Sequence, residues 1–510
     1  MSLPLLTLTY LASASPTVWQ PCPRVARHAA CARVAVPVDH DRQGATLDLE
    51  VARIPGPSGS RGQVWFVPDG PGHHHLDAVA EAQQVHAALA ADLDLLVLEM
   101  RGTGPEGLRC PEAEAPRSEA GHAITPAEWL ACSASLDAAD VAPFTTAQIS
   151  RDLHHAIRGV RGEAETVAAW GVGYGAFVVD RLLEVDPQAV DAVILDRVRP
   201  ADWRATDADR ALEQLTQDTV EACLEDRPCR EALGADPAAF AASLIDDVDE
   251  GYCERVGLDG DALRQLGAHL VRGGSRMAAQ LPALWFRLDR CRPRDVRAVG
   301  HLLDALFDEE RAVEAPRYAP VLARQITYAD LWHKATDDLR LRPPGLASTG
   351  RSAALEALAP HWPHPLASSP SALSRVDLPI LALHGAFDPE LTLARASMRE
   401  TLLDGAQHQH LVVVPGGADG SLVAGDSCVA EIARRFLLQP EAPLDTGCLG
   451  ARPSTPAVAP RDGRVQDRAL WGVPDRWGRA GCATAAGGGP SSTLAGVVLL
   501  LAVIGRRGKR

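Results

Sequence analysis

The stretch AAWGVGYGAFVVD, residues 168–180, constrains the fold more than any other part of the chain. An apolar run of strand character reaches a glycine-rich corner and passes directly into apolar residues at helical spacing. A strand that turns straight into a helix is the corner on which α/β sheets present a phosphate or a nucleophile. Its apex is Gly173, so this corner offers backbone and no reactive side chain.

The neighbouring sequence supplies the rest of such a sheet. QVWFV (63–67) precedes DGPG, LDLLVLE (93–99) precedes RGTG, and ETVAAW (165–170) and AVILD (192–196) flank the corner helix. These unbroken apolar runs read as strands buried on both faces of a parallel sheet. From about residue 200 to 365 the pattern changes to amphipathic helices such as DRALEQLTQDTVEACLED. Strands then resume at LPILALHG (378–385) and HLVVVPGG (410–417), and SCVAEIARRFLLQ closes as a helix. No internal repeat is present. The economical reading is an α/β sheet interrupted by a helical cap.

The corner admits two chemistries. Gly171-x-Gly173-x-x-Ala176, with Asp196 ending the next strand, fits a dinucleotide loop. That fingerprint belongs to the first βα turn of its domain, however, and here two strands precede it. The alternative is a nucleophile elbow. GVGYGA resembles the GGSYGT elbow of secreted tripeptidyl aminopeptidases and related proline-iminopeptidase-like (S33-type) hydrolases. The resemblance extends over most of residues 18–450: WQPC with Cys31 and VAVPVDHD, the VPDGPG loop, EMRGTGPEGLRC and HGAFDPELTLARA all have counterparts in that family. It implies an α/β-hydrolase fold (a mostly parallel sheet flanked by helices) with an inserted helical cap.

Residue by residue, the resemblance places Gly173 at the nucleophile position and Asp388 at the triad acid. Asp69, Gly70 and Tyr174 fall on the oxyanion side, and Asp419 stands where relatives carry the base histidine. A triad without serine and histidine has no acyl-enzyme route. The expectation is a catalytically inactive relative that keeps a peptide- or ligand-binding role at the cell surface. An active hydrolase with an unusual nucleophile or activated water is the alternative, and a dinucleotide binder a lesser one. No cofactor is expected. A divalent metal held by Asp69, His73, Asp388 and Asp419 ranks below the plainer reading of drifted surface loops. The triplet His73, His74 and His75 reads as solvated on an exposed loop. Trp285, Trp332, Trp362, Trp471 and Trp477 read mainly as packing anchors.

Compartment follows from cysteines and termini. Eleven cysteines occur without a C-x-x-C pair, and ten fall into close couples: Cys22/Cys31, Cys110/Cys132, Cys223/Cys229, Cys253/Cys291 and Cys428/Cys448. This arithmetic suits disulfides and an oxidising compartment. The last couple also fits the C-terminal pattern of the resembled family. The odd cysteine, Cys482, precedes a small-residue spacer, the apolar run LAGVVLLLAVI and RRGKR, an order resembling the MYXO-CTERM sorting tail. That resemblance implies C-terminal processing machinery, a membrane and the cell surface as partners and destination. LPLLTLTYLASA near the start ends in the small-x-small pattern of a signal peptide. The expected organisation is a signal peptide (1–14), core (15–200), helical cap (201–365), core (366–450), linker (451–481) and sorting segment (482–510). The net charge of −16 argues against a nucleic-acid surface.

Overall fold

The computed structural model describes residues 18–450 except 91, 105–106, 116, 119–123, 201, 308–316, 333–344, 364–375, 394–407 and 419. The expected signal, linker and sorting segments lie outside the described residues, with Trp471, Trp477 and Cys482.

One nine-stranded sheet organises the chain. Its strands are β1 (Gln20–Pro21), β2 (Ala30–Pro37), β3 (Thr46–Ile54), β4 (Gly62–Val67), β5 (Leu93–Leu98), β6 (Thr166–Val172), β7 (Ala192–Asp196), β8 (Ile380–Gly385) and β9 (Gln409–Val414), in spatial order 1-2-3-5-4-6-7-8-9. The first three strands and the β3–β5 pair are antiparallel, and every pair from β5 to β9 is parallel. This is the α/β-hydrolase arrangement. All residues of β5, β7 and β8 are buried, which explains why those runs are apolar without alternation.

Alternation within β4 joins the two faces of the sheet. Val64 and Phe66 enter the core beneath α1 (Val79–Leu89) and the closing helix Ser427–Leu438. Trp65 and Val67 enter the core beneath α2 (Thr146–Val160) and α3 (Tyr174–Val185). From β4 the chain steps to β5 on one side, while β6 pairs with the other. The loops leaving β4 and β6 therefore sit side by side at a reversal of strand order, where open α/β sheets build their sites.

The loop after β5 is stapled underneath. Arg101 is fully buried; its Nε and Nη2 donate to the two Asp152 oxygens at 2.6 Å each. Its remaining donors reach the carbonyl oxygens of Val38, Pro143 and Pro37.

Among the described residues between β7 and β8, helices form two packing units. Leu212, Leu263, Leu266, Leu284, Trp285 and Leu302 form a core of their own. The later helices Pro320–Ile326 and Arg351–Leu358 join the main core instead, through Leu322, Ile326, Leu355 and Leu358, and Trp362 follows them into it. Five disulfides form with Cα separations of 5.2 to 5.9 Å: Cys22–Cys31, Cys110–Cys132, Cys223–Cys229, Cys253–Cys291 and Cys428–Cys448. Each is typically worth about 2–4 kcal/mol.

Candidate functional site

The corner between β6 and α3 forms because its glycines let the backbone approach β4. A Cβ on Gly175 would lie 1.9 Å from the Val67 carbonyl oxygen. Gly173 adopts φ 54° and ψ −112°, a conformation that strains any side-chain-bearing residue. Its second constraint is steric. A Cβ at 173 would stand 2.3 Å from Asp69 Oδ1 and 2.7 Å from Oδ2. The space in front of the corner is thus filled by the Asp69 carboxylate.

Both oxygens of that carboxylate accept hydrogen bonds. Oδ1 accepts from the backbone N–H of Tyr174 at 2.7 Å and of Gly70 at 2.8 Å, while Oδ2 accepts from Arg197 Nη1 at 2.7 Å. Tyr174 opens α3, so the helix dipole adds to the pull on a negative charge. The Tyr174 phenol serves packing. It meets Thr146 Oγ1 at 3.0 Å, Thr146 is held by Asp330, and burial pushes the phenol well above its ordinary pKa.

Arg197 follows β7 at φ 58°, a left-handed conformation that costs a non-glycine residue about 1 kcal/mol or more. Its guanidinium also lies 3.5 Å from both oxygens of Asp388, which receives a closer 2.9 Å bond from Arg199 Nη1. Burial alone would raise the Asp388 pKa. Arg199, Arg197 and His384 outweigh it and hold the carboxyl well below the usual carboxylate range. His384 Nδ1 lies 3.8 Å from Asp388, and burial lowers the imidazole to about 4, so it is neutral.

The same loop is gripped by the inserted helices. Glu390 pairs with Arg272 and, at 3.4 Å, with Arg351; against its burial these arginines lower it to about 2. Phe387, next to Asp388, packs into the core of the insertion.

The structure thus brings Asp69, Gly70, Gly173, Tyr174 and Asp388 together, and Asp419 lies outside the described residues. One sequence reading is corrected, that of the histidine triplet, and two lesser alternatives lose support. Asp69 and Asp388 do not face a metal, because the Arg197 guanidinium occupies the place between them where a cation would bind. The histidine triplet is not solvated: His74 and His75 are buried, His75 Nδ1 meets the Leu98 carbonyl at 3.0 Å, and His74 N–H donates to Arg317 O. Asp196 does not await a ribose. It is buried and accepts from the Leu422 and Val423 amides, and burial raises its carboxyl to about 6. Arg197 and Arg199 went unread in the sequence. Their signal is position, since DRVR leaves a strand at the same sheet edge as the acids.

Comparison with known proteins finds a match to a family model and a similar protease. Residues 349–448 match the family model described as TAP-like protein. Serine protease Hip1 of Mycobacterium tuberculosis, and that of Mycobacterium bovis, is 26% identical over 477 residues, covering 83% of this chain and 89% of the relative. Among solved structures, a thermophilic esterase from Thermogutta terrifontis overlaps at TM-score 0.36 with 14% identity, covering 80% of this chain and 99% of the esterase. An acetylester hydrolase from Corynebacterium glutamicum gives TM-score 0.37 with 13% identity, covering 80% and 96%.

Proposed function

We propose that this chain, whose residues 349–448 match the TAP-like model and which is 26% identical to the protease Hip1, is a non-catalytic α/β-hydrolase-fold protein that binds a ligand at the corner after β6. The observation that carries the proposal is the Asp69 carboxylate, seated against the Gly70 and Tyr174 amides where an acyl oxyanion would need them. Gly173 stands at the nucleophile position and Asp388 at that of the triad acid. Asp388 is bound to Arg199 and Arg197 instead of a base histidine.

An active hydrolase using Asp69 as nucleophile is the second reading, since a carboxylate does sit at the corner. Both Asp69 oxygens are engaged by donors, which weakens it for attack and favours the binding role. The five disulfides support an oxidising compartment. Export to the cell surface, with a peptide as ligand and C-terminal processing at Cys482, completes the reading.

The test uses purified full chain with chromogenic tripeptide and ester substrates and a fluorophosphonate probe. No turnover and no labelling are expected. Turnover that Asp388→Ala abolishes would overturn the non-catalytic reading.

A further inference from the structure

We infer that the corner is a carboxylate-binding site which Asp69 holds shut as a tethered occupant, and that a ligand bearing a free carboxylate takes its place. The inference rests on the non-catalytic reading and names the ligand chemistry of the same site.

The receptor's donors all lie outside the Asp69 side chain. Two backbone N–H groups, from Gly70 and Tyr174, converge on one oxygen at 2.8 and 2.7 Å, and a guanidinium takes the other at 2.7 Å. Such a set matches an ionised carboxylate, with charge-assisted bonds to both oxygens. The absent side chain at Gly173 makes the room, because any Cβ there would overlap the occupant.

The occupant differs from its surroundings in accessibility. The Asp69 side chain is 25% exposed, against 7% for Arg197 and 0% for Asp388. It can turn towards water while the donors stay fixed. Charge then decides what replaces it. Arg197 bonds Asp69 and Asp388, and Arg199 bonds Asp388. Removing the Asp69 carboxylate takes one anion from beside the buried Arg197 guanidinium, and an incoming carboxylate takes its place with charge-assisted bonds. Arg199 Nε is buried and has no hydrogen-bond partner among the described residues. A neutral amide ligand supplies one acceptor oxygen and no charge, so it does not compete.

A tethered occupant at high local concentration makes the native affinity weak. The probes are acetate, N-acetyl-trialanine and N-acetyl-trialanine amide, titrated calorimetrically into the full chain and into Asp69→Gly. The acids are expected to bind Asp69→Gly at least tenfold more tightly than the native chain, with the amide at least tenfold weaker than its acid. Adding Arg197→Gln is expected to remove the gain. A peptide acid that exceeds acetate assigns the site to peptide C-termini, and equal affinities assign it to small organic acids. Equal binding of acid and amide, or no gain on removing Asp69, overturns the inference. If Asp69→Gly fails to fold, Asp69→Ala empties the same seat with less backbone freedom and the same acid-over-amide criterion applies. Because turnover and probe labelling are read separately, a failed carboxylate preference with silent chemistry removes the ligand class and leaves the non-catalytic reading standing.

Discussion

Two arginine–carboxylate pairs lie on neighbouring loops of one sheet edge, and they are built for opposite purposes. Arg101 and Asp152 are both buried, meet through two bonds of 2.6 Å, and leave the arginine's other donors on backbone carbonyls. Arg197 and Asp69 meet through one bond of 2.7 Å, with the arginine shared towards Asp388 at 3.5 Å and the carboxylate partly in water. The first pair fixes a loop and is closed to exchange. The second holds charge at a place where another carboxylate fits.

The largest expected effect breaks the closed pair. Arg101→Leu strands the buried Asp152 charge and is expected to cost about 3–5 kcal/mol in urea denaturation. His40 Nε2 lies 2.8 Å from Asp152 Oδ1 and remains its neighbour in that variant. Next comes the corner. Gly173→Ala meets both the positive φ and the Asp69 carboxylate, with about 2–4 kcal/mol expected to be lost. Asp69→Gly in the same chain should return more than 1 kcal/mol of it, measured as the coupling in a double-mutant cycle. A purely additive cycle would show that the clash is relieved some other way.

Acid titration separates the two regions further. Burial lowers His384 to about 4 and His75 to about 3 from 6.5. Their folded pKa values lie below the unfolded value, so the stability they contribute is intact above pH 6.5 and falls as pH drops towards 4. Each adds about 1.4 kcal/mol per pH unit of slope. Glu390, lowered to about 2 from 4.5, keeps its clamp to the inserted helices until pH falls below 4.5. Urea midpoints should therefore drop between pH 6.5 and 4.5, and His384→Gln should flatten part of that slope. The smallest effect belongs to the open pair: Arg197→Gln is expected to cost under about 2 kcal/mol, because Arg199 still neutralises Asp388 and Asp69 turns to solvent.

What the sequence discloses is what the chain decides locally. The five cysteine couples pair as their spacing suggests because the partners are 6 to 38 residues apart. The parallel strands show as apolar runs because both their faces are buried. TLDLEVARI hides its strand β3 because it is antiparallel and half exposed, with Asp48 and Glu50 interleaved among apolar residues. The ion network is equally hidden, since Arg197 meets Asp69 across 128 positions and Asp388 across 191. The histidine triplet misleads for the same reason: His73 meets Tyr318 and His74 bonds Arg317, which arrive from within the insertion.

The mutual exclusion at Gly173 and Asp69 also fixes an order of events. A side chain at 173 and a seated carboxylate at 69 compete for one volume. A lineage passing from a serine at that corner to this arrangement had to lose the serine side chain before, or together with, the seating of Asp69. The reverse step is barred in the same manner. Gly173→Ser alone meets an occupied space, and the two amides stay bonded to Asp69. Opening the corner to a side chain at 173 starts at Asp69, so the lock on this corner sits on the neighbouring loop.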